Sequence, residues 1–254
     1  NYSIPFECYK DFEPISACFC KLRGVNCISL SHQSALLSDL VPQPGYRDFI
    51  GAMIPKYYAP SIQKFGFHFK KYDLNIYFLI IRRAIRELDK ITKKHYTVYL
   101  RSYSDAKLIM LLSEINGVSW EVFLNIASTL QIEKCCNHTH LSNSFEKSIA
   151  SSIGVICGAG FETPPEALYL KKEITGYSYE RKIRVTFNEA SLKDIGVTVL
   201  KKHDKKNISK IKKWVKESKV VDVVYIDRTQ LLVDAVLSKY IIATELYAKL
   251  LHQI

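Results

Sequence analysis

The sequence predicts an α/β fold built on a mainly parallel sheet with helices over both faces. Two observations carry that reading. Short apolar runs alternate with helical patterns along most of the chain, and parallel strands joined in this way need crossover connections. The segment from Ile153 to Leu168 compresses the same pattern into one unit: an apolar run, a glycine turn, and a helix with its start signals. Composition agrees. The 254 residues suffice for one large domain or two small ones, and 48% hydrophobic with 24% charged residues is ordinary for a globular chain.

In chain order, residues 11–23 read as a helix, with Pro14 near its start and Gly24 just past its end. Residues 25–30 read as a strand ending at Ser31-His32-Gln33. Residues 41–75 are rich in Pro, Gly and aromatics, with a helical pattern over 47–58. Residues 76–88 read either as a strand followed by a charged helix or as one mixed segment. A strand at 95–100, a helix at 104–115 behind a Ser/Asp start, and a strand at 120–124 follow. Residues 145–151 are helical and lead into the apolar run at 153–157. After the glycine turn and its helix come a strand near Val197, a lysine-rich helix, a strand or edge segment at 220–226, and a final helix from 229 to about 252.

The glycine turn is the segment with chemical content. Gly158 and Gly160 let the backbone turn tightly or pass close to a ligand. Thr163 stands as N-cap, Pro164 at the first helical position, and Glu166 three residues after the cap, which together predict a capping box. Free N–H groups at such a helix start favour an anion such as a diphosphate. A short G-x-G is equally what a plain strand-to-helix connection uses.

Net charge is +11, from 36 Lys and Arg against 25 Asp and Glu, and nine lysines fall between Lys201 and Lys219. That sign suits phosphates, nucleic acid or an anionic membrane surface. Ile208, Ile211 and Val215, with Trp214 beside them, form one apolar face, so a solvated surface helix accounts for the lysines as well. Seven cysteines without regular spacing predict free, structural thiols in a reducing compartment. Cys18-x-Cys20 and Cys135-Cys136 lack a partner pair at zinc spacing, and His138-x-His140 lacks a third ligand, so no metal site is predicted. No apolar run approaches the ~20 residues of a membrane span, and the N-terminus lacks a signal-peptide pattern. A cytoplasmic location is expected, with peripheral membrane contact through Lys201–Lys219.

Five segments occur in one order: Asp11-Phe12-Glu13-Pro14, Ser29-Leu30-Ser31-His32-Gln33, Gln63-Lys64-Phe65-Gly66-Phe67-His68-Phe69, His95-Tyr96-Thr97-Val98-Tyr99-Leu100, and Gly158-Ala159-Gly160-Phe161-Glu162-Thr163-Pro164-Pro165-Glu166-Ala167-Leu168. With them the chain resembles an archaeal and bacterial family of GT-B-type glycosyltransferase-like proteins. That family is related to the peptidoglycan N-acetylglucosaminyltransferases and the glycosyltransferase 28 C-terminal domain. The resemblance runs from about Asp11 to Leu200. It implies two Rossmann-like parallel-sheet domains facing each other over a cleft: a partial acceptor-side domain at 1–75, a linker at 76–94, and a nucleotide-sugar-binding domain with a terminal helix at 95–254. It implies a nucleotide-diphosphate sugar as donor partner, and a lipid-linked or polymer acceptor. Gly158, Gly160, Phe161 and Thr163 would lie near the donor diphosphate, Glu166 on the ribose hydroxyls, and Asn188 at the family's Asn. Amides and a helix dipole can stabilise a departing diphosphate, so no metal or cofactor is required.

Two departures qualify the resemblance. Relatives place an acid-amide pair on the hydroxyls of the transferred sugar, and counting forward puts Arg184-Val185 there, with Glu180 and Glu189 as nearby carboxylates. The family also begins with a strand, a glycine-rich loop carrying a histidine, and a helix ahead of Asp11, whereas the sequence here starts at Asn1. The chain is therefore expected to be a truncated, divergent member whose N-terminal domain is incomplete and exposes edges, which favours a partner chain or a homo-oligomer. His32 is the candidate catalytic base, since it follows a strand and faces the cleft in the family reading. His68 is expected in interdomain packing. Asp11 and Glu13 are spaced for acid-base work but also sit where a helix start attracts carboxylates. Tyr57-Tyr58 and the tyrosines from Tyr96 to Tyr103, which include Tyr99, offer stacking surfaces or core. The alternatives to a glycosyltransferase are a catalytically inactive GT-B-fold scaffold, and a basic nucleic-acid-binding protein using the lysine helix.

Overall fold

The computed structural model describes residues 7–44, 53–54, 56–89, 91, 93–124, 135–138, 142–178, 183–201, 206–217 and 219–237. These form two parallel sheets. The first has four strands in the order β1 (Glu7–Lys10), β2 (Asn26–Ser31), β3 (Gln63–His68) and β4 (Ile76–Phe78). Helix α1 (Pro14–Arg23) joins β1 to β2. The Glu13 carboxylate caps it, accepting from the amides of Ile15 at 2.7 Å and Ser16 at 2.8 Å, and Gly24 closes it at φ 65°. Of the two readings open for Glu13, acid-base work or a carboxylate at a helix start, the structure shows the second. Ser31 caps the short α2 (His32–Ala35), accepting from the Ser34 amide at 3.1 Å. Gly66 on β3 is required there, because a Cβ would lie 2.6 Å from the Ala35 Cα.

The helical pattern expected over 47–58 falls partly outside the described residues; 53–54 and 56–57 are helical. The segment 76–94, expected to link two domains, instead starts with the fourth strand of the first sheet. Helix α3 (Arg83–Arg86) follows it, so the strand-then-helix alternative holds.

The second sheet contains β5 (Tyr96–Tyr99), β6 (Trp120–Phe123), β7 (Cys135–His138), β8 (Gly154–Gly158), β9 (Glu173–Ser178) and β10 (Thr198–Lys201). Helices α4 (Asp105–Ser113), α5 (Ser142–Ser151), α6 (Thr163–Tyr169), α7 (Ile183–Asp194) and α8 (Asn207–Glu217) connect and follow them. The strand order is β10-β9-β8-β5-β6-β7. Counted from β5 as the first strand, this is the six-stranded doubly-wound order, and its direction reverses between β5 and β8.

One core runs through both units. Phe65, Phe67 and Phe69 of the first pack in the same cluster as Val155, Ala167 and Leu168 of the second. The other face of the second sheet has its own core, from Val98 and Val122 to Ile211 and Trp214 of α8. The C-terminal stretch ties the units together. Residues 220–226, expected as a strand or edge segment, pair with no strand among the described residues. They are held as an extended strap instead: Lys171 Nζ bonds Asp222 at 2.6 Å and the Val223 carbonyl at 2.8 Å, and the Tyr225 hydroxyl donates to the Phe69 carbonyl at 3.3 Å. Residues 229–237 form α9, and the remainder of the predicted terminal helix lies outside the described residues.

Candidate functional site

A cavity of about 330 Å³ opens at the carboxyl ends of β5 and β8, where the strand order of the second sheet reverses. In open parallel sheets ligands bind at this place, because the loops diverge there. The glycine turn from Gly158 to Pro164 forms one wall. Tyr99 and Arg101 come from the end of β5, Val185 and Asn188 from α7, and His32 reaches in from the first unit.

The amides of the turn are fewer than its sequence suggests. Ala159 N–H donates to the Tyr177 carbonyl at 2.9 Å, and Gly160 N–H to the Gly158 carbonyl at 2.8 Å. Pro164 and Pro165 have no N–H. Phe161, Glu162 and Thr163 remain to supply amides to an anion. Gly160 itself is not demanded by the fold: a Cβ there would meet nothing within 4 Å, and its φ is not positive. A glycine that the chain does not need leaves room for something else.

The capping box does not form. Glu162 occupies the N-cap without a side-chain cap bond, and Thr163 is the first helical residue. Glu166 is buried, at 5% exposure, with both oxygens taken by Arg82: Nε to Oε1 at 2.6 Å and Nη2 to Oε2 at 3.1 Å. Arg82 also reaches Glu146 of α5 at 2.9 Å. Glu166 therefore does not line the cavity as the ribose ligand the resemblance implied. It anchors the chain segment after β4 to α6, because a buried carboxylate is stable only when its lone pairs are met.

Asn188 is 2% exposed, and its Nδ2 donates to the Ala159 carbonyl at 3.1 Å. That bond fixes the amide's orientation and leaves Oδ1 buried without a hydrogen-bond partner, on the wall of the cavity.

Aromatic rings seal the side facing the first unit. Phe161 stacks on His32 with centroids 4.3 Å apart and planes at 10°, and on Phe69 at 5.7 Å, while His68 meets it edge-on at 5.4 Å. His68 is fully buried. Its Nδ1 accepts from the Phe69 amide at 3.0 Å, and burial, with the His32 charge adding, pushes its pKa down to about 3. It is a neutral packing residue. His32 lines the cavity.

The remaining candidates lie elsewhere. Glu189 pairs with Lys193 at 2.5 Å. Tyr96 is buried, and Tyr103 packs on the same core. Tyr57 and Tyr58 are exposed. Glu180, His140 and the side chain of His138 fall outside the described residues. On α8, Lys210, Lys212, Lys213 and Lys216 are exposed over a buried Ile211 and Trp214, the arrangement of an amphipathic surface helix. Among the described residues no helix is long and apolar enough to cross a membrane. Arg101 was not anticipated. The signal for it was positional: it lies two residues beyond β5, the strand on the other side of the reversal point from the glycine turn.

A family model described as glycosyl transferase family 1 matches residues 7–218. Among solved structures, the fold is similar to Arabidopsis thaliana UGT89C1 complexed with UDP, at TM-score 0.56 and 10% identity, covering 89% of this chain and 65% of that one. It is similar to the same protein complexed with UDP-L-rhamnose at TM-score 0.53 and 11% identity, covering 83% and 62%. The spinosyn forosaminyltransferase SpnP matches at TM-score 0.51 and 10% identity, covering 83% and 67%. At these identities the likeness is one of fold, and the chain spans about two thirds or less of the length of these structures. No curated protein sequence matches it.

Proposed function

The chain belongs to glycosyl transferase family 1, and from that membership we propose that the cavity at the head of α6 binds the diphosphate of a nucleotide-sugar donor. The carrying observation is the coincidence of the glycine turn with the reversal point of a doubly-wound sheet. The unit at 96–217 is then the donor side and the unit at 7–78 the acceptor side. The amides of Phe161, Glu162 and Thr163 and the guanidinium of Arg101 are the groups that would hold phosphate oxygens. The Asn188 Oδ1 would accept from a donor hydroxyl. Gly158 and Gly160 keep the turn low enough for that approach. His32, stacked on Phe161, would take a proton from an acceptor hydroxyl. A lipid-linked or polymer acceptor, and membrane contact through the exposed lysines of α8, extend the same reading.

Calorimetric titration with uridine diphosphate and its sugars tests the donor site. Binding is expected for the native chain and its loss for Gly160→Ala, whose melting point should stay unchanged because the added methyl enters open space. Absence of heat with every nucleoside diphosphate would sink the proposal.

A second reading, a binding unit without turnover, draws on Val185. This apolar side chain lines the cavity where relatives carry an acid-amide pair. Donor hydrolysis or transfer above background would remove it.

A further inference from the structure

Cys8, Cys20 and Cys27 are scattered over three elements, and their spacing in sequence matches no metal motif. The fold brings them together. Cys8 on β1 and Cys27 on β2 are register partners, so in a parallel pair their side chains leave the same face of the sheet. Helix α1, which connects those two strands, lays Cys20 over them. The three sulfur atoms all lie within 4.8 Å of one another. Cys20 and Cys27 are buried and Cys8 is partly so, and all three are free thiols. Three thiolates around one ion at a Zn–S length of ~2.3 Å stand about 4 Å apart, so the cluster is already near the required spacing.

Lys10 adds a second observation. It sits two residues beyond Cys8, hence on the same face of β1, and is 6% exposed. Its ammonium is anchored on the Pro60 carbonyl at 3.0 Å and lies close enough to interact electrostatically with Cys27 and Cys8. Beside three thiolates holding a divalent ion, whose net charge is −1, the Lys10 side chain is a near neighbour of opposite sign.

We propose that Cys8, Cys20 and Cys27 form a three-thiolate site for zinc(II) or a similarly thiophilic divalent ion. Binding releases three thiol protons per ion, and the assembly with Lys10 is then neutral. The site lies toward the amino ends of β1 and β2, away from the donor cavity at the carboxyl ends. Its effect is to staple α1 and the edge strand β1 to β2.

The test uses the reduced, full chain titrated with cadmium(II) and zinc(II). One cadmium per chain should give the ultraviolet thiolate-to-metal charge-transfer band, and one zinc should shield three thiols from a thiol-specific reagent. Cys20→Ser should weaken zinc binding by at least the roughly 100-fold that even an outer-shell change can cost. Cys18→Ser, an exposed neighbour on the same helix, should bind as the native chain does. Zinc should also raise the melting point by mass action. Should Cys20→Ser fold poorly, competition between the native chain and a chromogenic chelator still decides the matter. Absence of the band, a metal bound equally by Cys20→Ser, or shielding of fewer than three thiols would each overturn the site.

Discussion

The two sheets of this protein are built to different standards. The six-stranded sheet is covered on both faces and carries two cores, so it holds every element a doubly-wound unit needs. The four-stranded sheet is smaller, and α1 turns Ile15, Phe19 and Leu22 outward at 80%, 53% and 85% exposure. Much of its interior is shared: Phe65, Phe67 and Phe69 pack within the cluster that also contains the second unit's Leu168 and Ile174. The larger unit supplies most of the cavity wall, and among the described residues the smaller one contributes His32 while sharing its core with its neighbour.

Phe69→Ala attacks that dependence most directly. It empties a fully buried ring site between the units and should cost about 3–5 kcal/mol. If the units share one core, thermal melting stays a single transition at lower temperature. Two separate transitions, with the second at the native temperature, would break the comparison.

Acid should strike the same interface. His68 titrates near 6.5 in the unfolded chain and at about 3 in the fold. The unfolded state therefore binds the extra proton first, so this stability is complete above pH 6.5 and is lost as pH falls toward 3. The slope is roughly 1.4 kcal/mol per pH unit, so moving from pH 7 to 5 should remove about 2 kcal/mol. Urea unfolding at the two pH values checks this, and an equal loss in His68→Gln would assign the effect elsewhere.

The glycines sharpen the contrast. Gly66→Ala forces a methyl against the backbone of Ala35 in the smaller unit and should cost about 1–3 kcal/mol. Gly160→Ala in the larger unit should change stability by less than about 0.5 kcal/mol while abolishing donor binding. Denaturant midpoints for both variants separate a glycine kept for packing from one kept for a ligand.

Much of the fold was legible because local signals agreed. Pro14 and Gly24 bracket α1 as their backbone preferences require. The apolar run at 95–100 contains β5, and the run at 153–157 overlaps β8, which ends one residue later at Gly158. Strand β9 was missed because it is central: Ile174 to Ser178 are buried on both faces, so no alternation marks it, and Lys171-Lys172-Glu173 made its start look like a surface turn. Helix α7 carries no clear apolar stripe and was missed with it. The 220–226 run read as a strand because it is β-branched and aromatic apart from Asp222, yet among the described residues its partners are the Lys171 side chain and the Phe69 carbonyl rather than a neighbouring strand.

The sequence by itself determined the α/β class, the glycine turn and the family likeness, because each rests on contacts within a few residues or on ordered motifs. Only the tertiary structure decided what the side chains do. Glu166, alone in a helix start, reads as a cap or a ribose ligand, but Arg82 from 84 positions away takes both its oxygens. Asn188 acquires an unmet acceptor, and three unrelated cysteines acquire one another, by the same route. Charge pairing, burial and sulfur spacing depend on distances that parallel crossover connections set across dozens of residues, and no local pattern encodes them.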